Sequence, residues 1–223
     1  MRVKIPVLKE VTEANTLLAD ILRAEFATHK VLVLNVIASP GAGKTSLLER
    51  TIKALKGELR ISVIEGDPTT SIDAERIAAV GIPVVQINTG GGCHLEARQV
   101  QAAIEQLDLS AADVLIIENV GNLICPTGWD LGEDLRVVVA SLPEGDDKPL
   151  KYPLPFLNAQ AVVINKVDLE PYVPAQTAMM RENALKVNPS LAMFEVSCVT
   201  GQGISKWLAW LRTQLGSKRA AAA

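Results

Sequence analysis

The chain has 223 residues, 48% of them hydrophobic, 21% charged and 4% aromatic, with a formal net charge of −3 at pH 7; that is enough for one substantial core, filled by Val, Ile, Leu and Ala as buried parallel strands require. The mildly acidic balance, with no long basic cluster, excludes nucleic acid as a main partner. No apolar run nears the roughly 18 residues that cross a bilayer and no signal-peptide core opens the chain, so a cytoplasmic protein without membrane attachment is expected, in which three cysteines are ligating, reactive or buried rather than disulfide-paired.

From Thr12 to Thr28 the positions Leu17, Leu18, Ile21, Leu22 and Phe26 recur at helical spacing and predict an amphipathic helix, part of an N-terminal helical extension over residues 1–29 that packs on the sheet or on a second subunit. Strand-like runs follow at Val31 to Ile37, Ile61 to Glu65, Val84 to Ile87, Val114 to Glu118, Leu135 to Ala140, Ala161 to Ile164 and Met193 to Val196. Helical patterns fall between most of them, at Thr45 to Leu55, Ile72 to Val80, Leu95 to Leu107, Gln176 to Val187 and Ile204 to Leu215. This alternation predicts an α/β fold over residues 30–217, a three-layer P-loop NTPase domain with a mainly parallel sheet and helices on both faces. Asn119 to Asp134 and the Pro- and charge-rich Pro143 to Pro155 break the rhythm and read as switch or lid loops. Residues 218–223, ending in four alanines, read as a disordered tail or an expression remnant.

Two strings fit one ligand between them. Ser39-Pro40-Gly41-Ala42-Gly43-Lys44-Thr45 lies between a strand and a helix, where successive backbone N–H groups turn toward a β-phosphate. Gly41, Ala42, Gly43, Lys44, Thr45 and Ser46 form that cradle, with Lys44 reaching the β/γ oxygens and Thr45 offering its hydroxyl to Mg²⁺; the usual first glycine is replaced by Ala38. Asn165-Lys166-Val167-Asp168 ends a later strand, at the edge where open α/β sheets bind ligands. Asp168 suits the N1–H and N2 amine of guanine, a donor pair adenine lacks, so an adenine would leave a desolvated, unpaired carboxylate. Asn165 is placed near N7 and O6 and the Lys166 stem on the base, while Ser197-Cys198-Val199-Thr200-Gly201 offers backbone N–H groups to O6, with the Cys198 side chain as packing. Together the strings indicate GTP/GDP.

Hydrolysis also needs Mg²⁺ and a placed water. Asp67, in Gly66-Asp67-Pro68, and Glu118, in Glu118-Asn119-Val120-Gly121, are strand-end acids within reach of Mg²⁺ directly or through water, and Gly121 offers an N–H to the γ-phosphate. Each acid alone would simply cap a turn; after a P-loop, Lys44, Asp67 and Glu118 form a candidate catalytic set. Glu118 stands where many GTPases carry Asp, so a water-mediated metal contact suits its extra methylene.

Cys93-His94 follows Gly90 to Gly92, and Cys125 lies just past Gly121. Taken singly, each cysteine is most simply a buried packing residue and the histidine a surface one, but both cysteines occupy polar, Gly-rich loops. Thiolates and an imidazole suit Zn²⁺ or Ni²⁺ alike. Three ligands leave the set one short, which a second chain can complete across a two-fold axis.

The motifs Ser39 to Thr45, Gly90-Gly91-Gly92-Cys93-His94-Leu95, Glu118 to Pro126, Lys151-Tyr152-Pro153 and Asn165 to Leu169 together resemble the HypB-type GTPases that help insert nickel into nickel–iron hydrogenase, over nearly the whole chain and in order. The resemblance implies a SIMIBI-class fold, slow Mg²⁺-dependent GTP hydrolysis, a GTP-promoted homodimer, and a Ni²⁺ or Zn²⁺ site of Cys93, His94 and Cys125 at the dimer interface. It also implies a HypA-type nickel accessory protein and the hydrogenase large-subunit precursor as partners. Many relatives begin with Cys-x-x-Cys-Gly-Cys or carry a His-rich stretch; neither is present here, so a separate tight nickel store is not expected. The nearest rival, a UreG-like urease accessory GTPase, carries Cys-Pro-His where Cys93 and His94 are adjacent. A P-loop phosphotransferase acting on a small acceptor is disfavoured by Asp168.

Overall fold

The computed structural model of the chain describes residues 7–221. In chain order the elements are α1 (Val7–Thr28), β1 (Leu32–Ala38), α2 (Lys44–Leu55), β2 (Ile61–Asp67), α3 (Ile72–Ala78), β3 (Val84–Asn88), α4 (Ala97–Ile104), β4 (Val114–Gly121), β5 (Leu135–Ser141), α5 (Lys148–Lys151), α6 (Pro153–Leu157), β6 (Ala161–Asn165), α7 (Thr177–Val187), β7 (Ala192–Glu195) and α8 (Ile204–Ala221). The seven strands form one sheet in the order β3-β2-β4-β1-β5-β6-β7, and every adjacent pair is parallel. All seven expected strands and the mainly parallel sheet are present.

Side chains alternate across each strand, so both faces carry apolar residues and both are covered. Leu32, Leu34, Val36, Val63, Ile116 and Val139 meet Ile52 and Leu55 of α2 and Trp207 and Leu211 of α8. On the other face Val33, Ile64, Leu115 and Ile117 meet α1 and α4 through Leu22, Phe26 and Val100. Val138, Val162 and Ile164 meet Phe156 of α6 and Met180 and Ala184 of α7. The first helix, set apart in the sequence as an extension, is thus part of the core.

Its buried stripe differs from the expected one. Ala19, Leu22 and Phe26 are buried, whereas Leu17 and Ile21 are 68% and 55% exposed. The rotation is set by Asn15, whose Oδ1 accepts the first N–H of α4, Ala97, at 2.8 Å while its Nδ2 donates to the Asp130 carbonyl at 2.8 Å. Turning Leu17 inward would turn Asn15 out and leave both backbone groups without a partner, at about 1–3 kcal/mol each. Gly132 sits close against the same helix: a Cβ there would lie 2.8 Å from the Ala19 carbonyl oxygen, at a backbone φ of +79°.

Neither expected lid is loose. In the first, β4 continues to Gly121 and a 3-10 turn spans Cys125–Gly128; Arg136 donates to the carbonyls of Thr127 at 2.6 Å and Trp129 at 2.9 Å, and Arg23 pairs with Asp130 at 2.7 Å. The second folds into α5 and α6, because Pro149 and Pro153 fall in first turns, where proline's missing N–H is tolerated. The tail boundary moves as well. Residues from 218 onward continue α8 to Ala221, with Lys218 paired to Asp134 at 2.5 Å and Arg219 to Asp113 at 2.8 Å; Ala222 and Ala223 lie outside the described residues.

Candidate nucleotide and metal site

At the C-terminal ends of β2 and β4 the apolar stripes turn acidic. Along β2 the sequence Ile61, Val63, Glu65, Asp67 occupies one face, and Glu65 lies directly beside Glu118 of β4 in the strand register. Both glutamates are 2% exposed. Gly43, at φ 97°, turns the P-loop into the first residue of α2, which sets Thr45 over Glu118: Thr45 Oγ1 donates to Glu118 Oε1 at 2.7 Å.

Glu65 Oε2 and Glu118 Oε2 are buried with no hydrogen-bond partner among the described residues. Burial pushes the Glu65 carboxyl up to about 8, helped by the charge of Glu118, and pushes Glu118 up to about 7 against the opposing pull of Lys44 and Thr45. Two adjacent buried carboxylates with orphaned oxygens, next to a threonine hydroxyl, fit a divalent cation; Thr45 and Glu118 would hold Mg²⁺, with Asp67 at the rim. Asp67 behaves differently. Burial works to raise it, but the Thr70 and Thr69 N–H groups hold it below the usual range, both donating to Oδ1, at 2.6 and 2.8 Å. One Asp67 oxygen therefore caps the turn. Glu65, passed over in the sequence, was visible there as a carboxylate in an otherwise apolar alternation.

The base-binding string is tied to the P-loop. Asn165 Nδ2 donates to the Ala42 carbonyl at 2.9 Å, and Lys166 Nζ donates to the Gly41 carbonyl at 2.7 Å. A Cβ at Gly43 would lie 2.4 Å from Asn165 Nδ2, so only glycine permits this approach. Asn165 Oδ1 accepts the N–H groups of Lys166 at 2.8 Å and Cys198 at 3.2 Å. Asn165 is thus a tie between two loops, with one amide hydrogen left for a base N7. The N–H groups expected at O6 are engaged within the protein: Ser197 Oγ accepts from Val199 and Thr200 at 3.2 and 3.0 Å, and Asn165 Oδ1 accepts from Cys198 at 3.2 Å. Burial pushes the Cys198 thiol up to about 11, in keeping with a packing role. Asp168 Oδ1 is buried and has no partner among the described residues, the state expected of an acceptor waiting for ligand N–H groups. Ser39, at the P-loop entrance, accepts from the buried Lys148 Nζ at 2.6 Å, and Lys148 also pairs with Glu144; this brace was not anticipated. A cavity of about 300 Å³ lies here, lined by Ser39, Pro40, Gly121, Asn122 and Lys148 among others.

The soft donors meet near the same edge. Cys93 Sγ lies 3.6 Å from His94 Nδ1, and its hydrogen bond with the Cys125 thiol holds the Cys93 thiol above its ordinary value. Asn122 Nδ2 donates to Cys125 Sγ at 3.3 Å. Burial lowers His94, favouring the neutral imidazole that binds metals, and its ring stacks on Trp129 with centroids 4.3 Å apart and planes at 24°. The donor set suits Ni²⁺ or Zn²⁺, and Cys93 neighbours both other donors. Among the described residues, however, no three such side chains converge on a single metal position. Asn119 joins this edge to the phosphate edge, its Oδ1 accepting the Leu95 N–H and its Nδ2 donating to Asn35 Oδ1 at 3.2 Å.

The family described as CobW/HypB/UreG, nucleotide-binding domain, matches residues 32–195. Hydrogenase maturation factor HypB of Rhizobium leguminosarum bv. viciae is 50% identical over 207 residues, covering 93% of this chain and 69% of the relative. The crystal structure of hydrogenase maturation factor HypB from Archaeoglobus fulgidus superposes with a TM-score of 0.86 at 39% identity, covering 91% of this chain and 99% of that one. HypB from Helicobacter pylori, solved in complex with nickel, gives a TM-score of 0.86 at 36% identity, covering 94% and 97%.

Proposed function

We propose, from the premise that the chain belongs to the CobW/HypB/UreG family and to its HypB hydrogenase-maturation branch, that it is a GTP-hydrolysing metallochaperone which carries Ni²⁺ or Zn²⁺ on Cys93, His94 and Cys125 and assists nickel insertion into hydrogenase. Lys44 and the P-loop N–H groups neutralise the phosphates, Asp168 selects guanine, and Mg²⁺, when bound, neutralises charge on the β/γ oxygens. Thr45 and Glu118 hold that ion, and Asp67 orients water at its rim.

The observation that carries the reading is the Cys93 sulfur 3.6 Å from His94 Nδ1, with the Cys125 thiol as its neighbour, on a loop hydrogen-bonded through Asn119 to the strand that bears Glu118. A nucleotide that orders the end of β4 therefore acts on the thiols, and a second copy of the chain completes the ligand set. The homodimer forms in the GTP state and works in the cytoplasm with a HypA-type nickel protein and the hydrogenase large-subunit precursor. The nickel-bound relative supports Ni²⁺ as cargo, and among the described residues no helix is long and apolar enough to cross a membrane. Titration of the wild type against Cys93→Ala and Cys125→Ala with Ni²⁺ and Zn²⁺ tests it: both variants lose the site. Metal binding unchanged by both substitutions refutes the assignment.

A further inference from the structure

The His94 ring is held in a way the metal ligands alone do not explain. Its Nε2 is buried with no hydrogen-bond partner among the described residues, its Nδ1 faces Cys93 Sγ at 3.6 Å, and one face is covered by Trp129 at a centroid distance of 4.3 Å. A ligating imidazole usually donates its second N–H to a carboxylate or carbonyl that fixes the ring. Here no such acceptor is present, so the ring needs another means of orientation.

Trp129 is well placed to supply it because its own backbone is anchored. Its N–H donates to the Pro126 carbonyl at 3.2 Å, and its carbonyl accepts from Arg136 at 2.9 Å. Arg136 is clamped to Glu133 at 2.6 Å, both side chains at or below 10% exposure. Glu133 in turn accepts from Asn35 of β1 at 3.1 Å and from the Leu131 N–H at 2.7 Å. The indole is thus a wall fixed to the centre of the sheet, and it lies four residues after Cys125, at the C-cap of the 3-10 turn which that cysteine opens.

We propose that Trp129 is a positioning residue of the metal set: by stacking on His94 it shuts Nε2 away and presents Nδ1, beside the Cys93 sulfur, as the nitrogen that binds Ni²⁺ or Zn²⁺. The proposal rests on the reading that Cys93, His94 and Cys125 hold the metal. It further makes the Cys125 turn act twice, through its own thiol and through the tryptophan that orients the histidine on the other loop. A shift of that turn changes both donors together.

The test uses the full chain with GDP bound. Removal of an orienting outer partner lowers metal affinity by roughly 10- to 100-fold, and that loss is expected for Trp129→Ala with Ni²⁺ and Zn²⁺, together with a changed nickel–thiolate charge-transfer band. Trp129→Phe, which keeps a stacking ring, stays near the wild type in both. Long-range ¹H–¹⁵N spectra of the zinc-loaded wild type are expected to show Nδ1 coordinated, a readout independent of how Trp129→Ala folds. Coordination through Nε2, or a Trp129→Ala protein with wild-type affinity and spectrum, overturns the proposal while leaving the three-ligand site intact. Metal binding by the wild type that Cys93→Ala does not weaken overturns the site itself and this proposal with it.

Discussion

Asn119 Oδ1 accepts the backbone N–H of Leu95 at 3.1 Å in a buried setting, so the residue after Glu118 grips the residue after His94. The same side chain donates to Asn35 in the adjacent strand and accepts its neighbour's N–H, Val120, at 2.9 Å. The strand end that faces the phosphates and the loop that carries two metal donors therefore share one rigid amide.

Asn119→Ala breaks that grip. It leaves the Leu95 N–H and Asn35 Oδ1 without these partners, and thermal or urea denaturation is expected to show a loss of about 1–3 kcal/mol. The same variant is expected to bring the ratio of Ni²⁺ dissociation constants in the GDP and GTP-analogue states toward one. A variant that is destabilised yet keeps the wild-type ratio would show that coupling travels elsewhere.

The paired glutamates give the nucleotide-free protein a pH signature. Both carboxyls are raised from 4.5, Glu65 to about 8 and Glu118 to about 7, chiefly by burial. The folded state thus holds protons that the unfolded chain has released, so this contribution to stability is fully present below about pH 4.5 and is lost as pH rises to about 8. Urea midpoints at pH 6 and pH 8 are expected to differ by the equivalent of ~1 kcal/mol or more, and Glu65→Gln to remove most of that difference. An unchanged slope in Glu65→Gln would exclude these carboxyls as its source.

Asp168→Asn replaces an acceptor pair by an amide that offers a donor. GTP affinity is expected to fall by at least about 100-fold and XTP, with a carbonyl at C2, to gain in compensation. Competition against a fluorescent nucleotide reads both changes. Retained GTP preference would mean that the orphaned Asp168 oxygen is not the guanine acceptor.

Asn165→Ala is expected to act on the phosphate loop as much as on the base. Loss of the Ala42, Lys166 and Cys198 bonds loosens both loops, so GTP and pyrophosphate should weaken together, each by about 1–3 kcal/mol. If Asn165 served only N7 and O6, pyrophosphate inhibition would be untouched.

The central strands were readable because they are buried on both faces and run almost wholly apolar, as in Val31 to Ile37, broken only by Asn35, and Ala161 to Ile164. The P-loop and the guanine string were readable because their chemistry needs those residues at fixed spacing. What spacing does not carry is rotation and long-range contact. Leu17 and Ile21 are as apolar as Leu22, and only the bonds of Asn15 to Ala97 and Asp130 decide which of them faces the core. Pro149 and Pro153 read as breakers, yet each begins a short helix. Loop context and soft-donor chemistry group Cys93 with Cys125, but the stacking of His94 on Trp129, thirty-five positions away, leaves no sign in the sequence.

The central claim is that nucleotide and metal occupy coupled sites on one chain. By linkage, a change in metal affinity produced by the nucleotide must appear equally in nucleotide affinity on metal binding. Ni²⁺ dissociation constants for the wild type, measured with GDP and with a non-hydrolysable GTP analogue, test this most directly. The account predicts two distinct values, with the dimer accompanying the analogue-bound state. Equal values in the two states would contradict it.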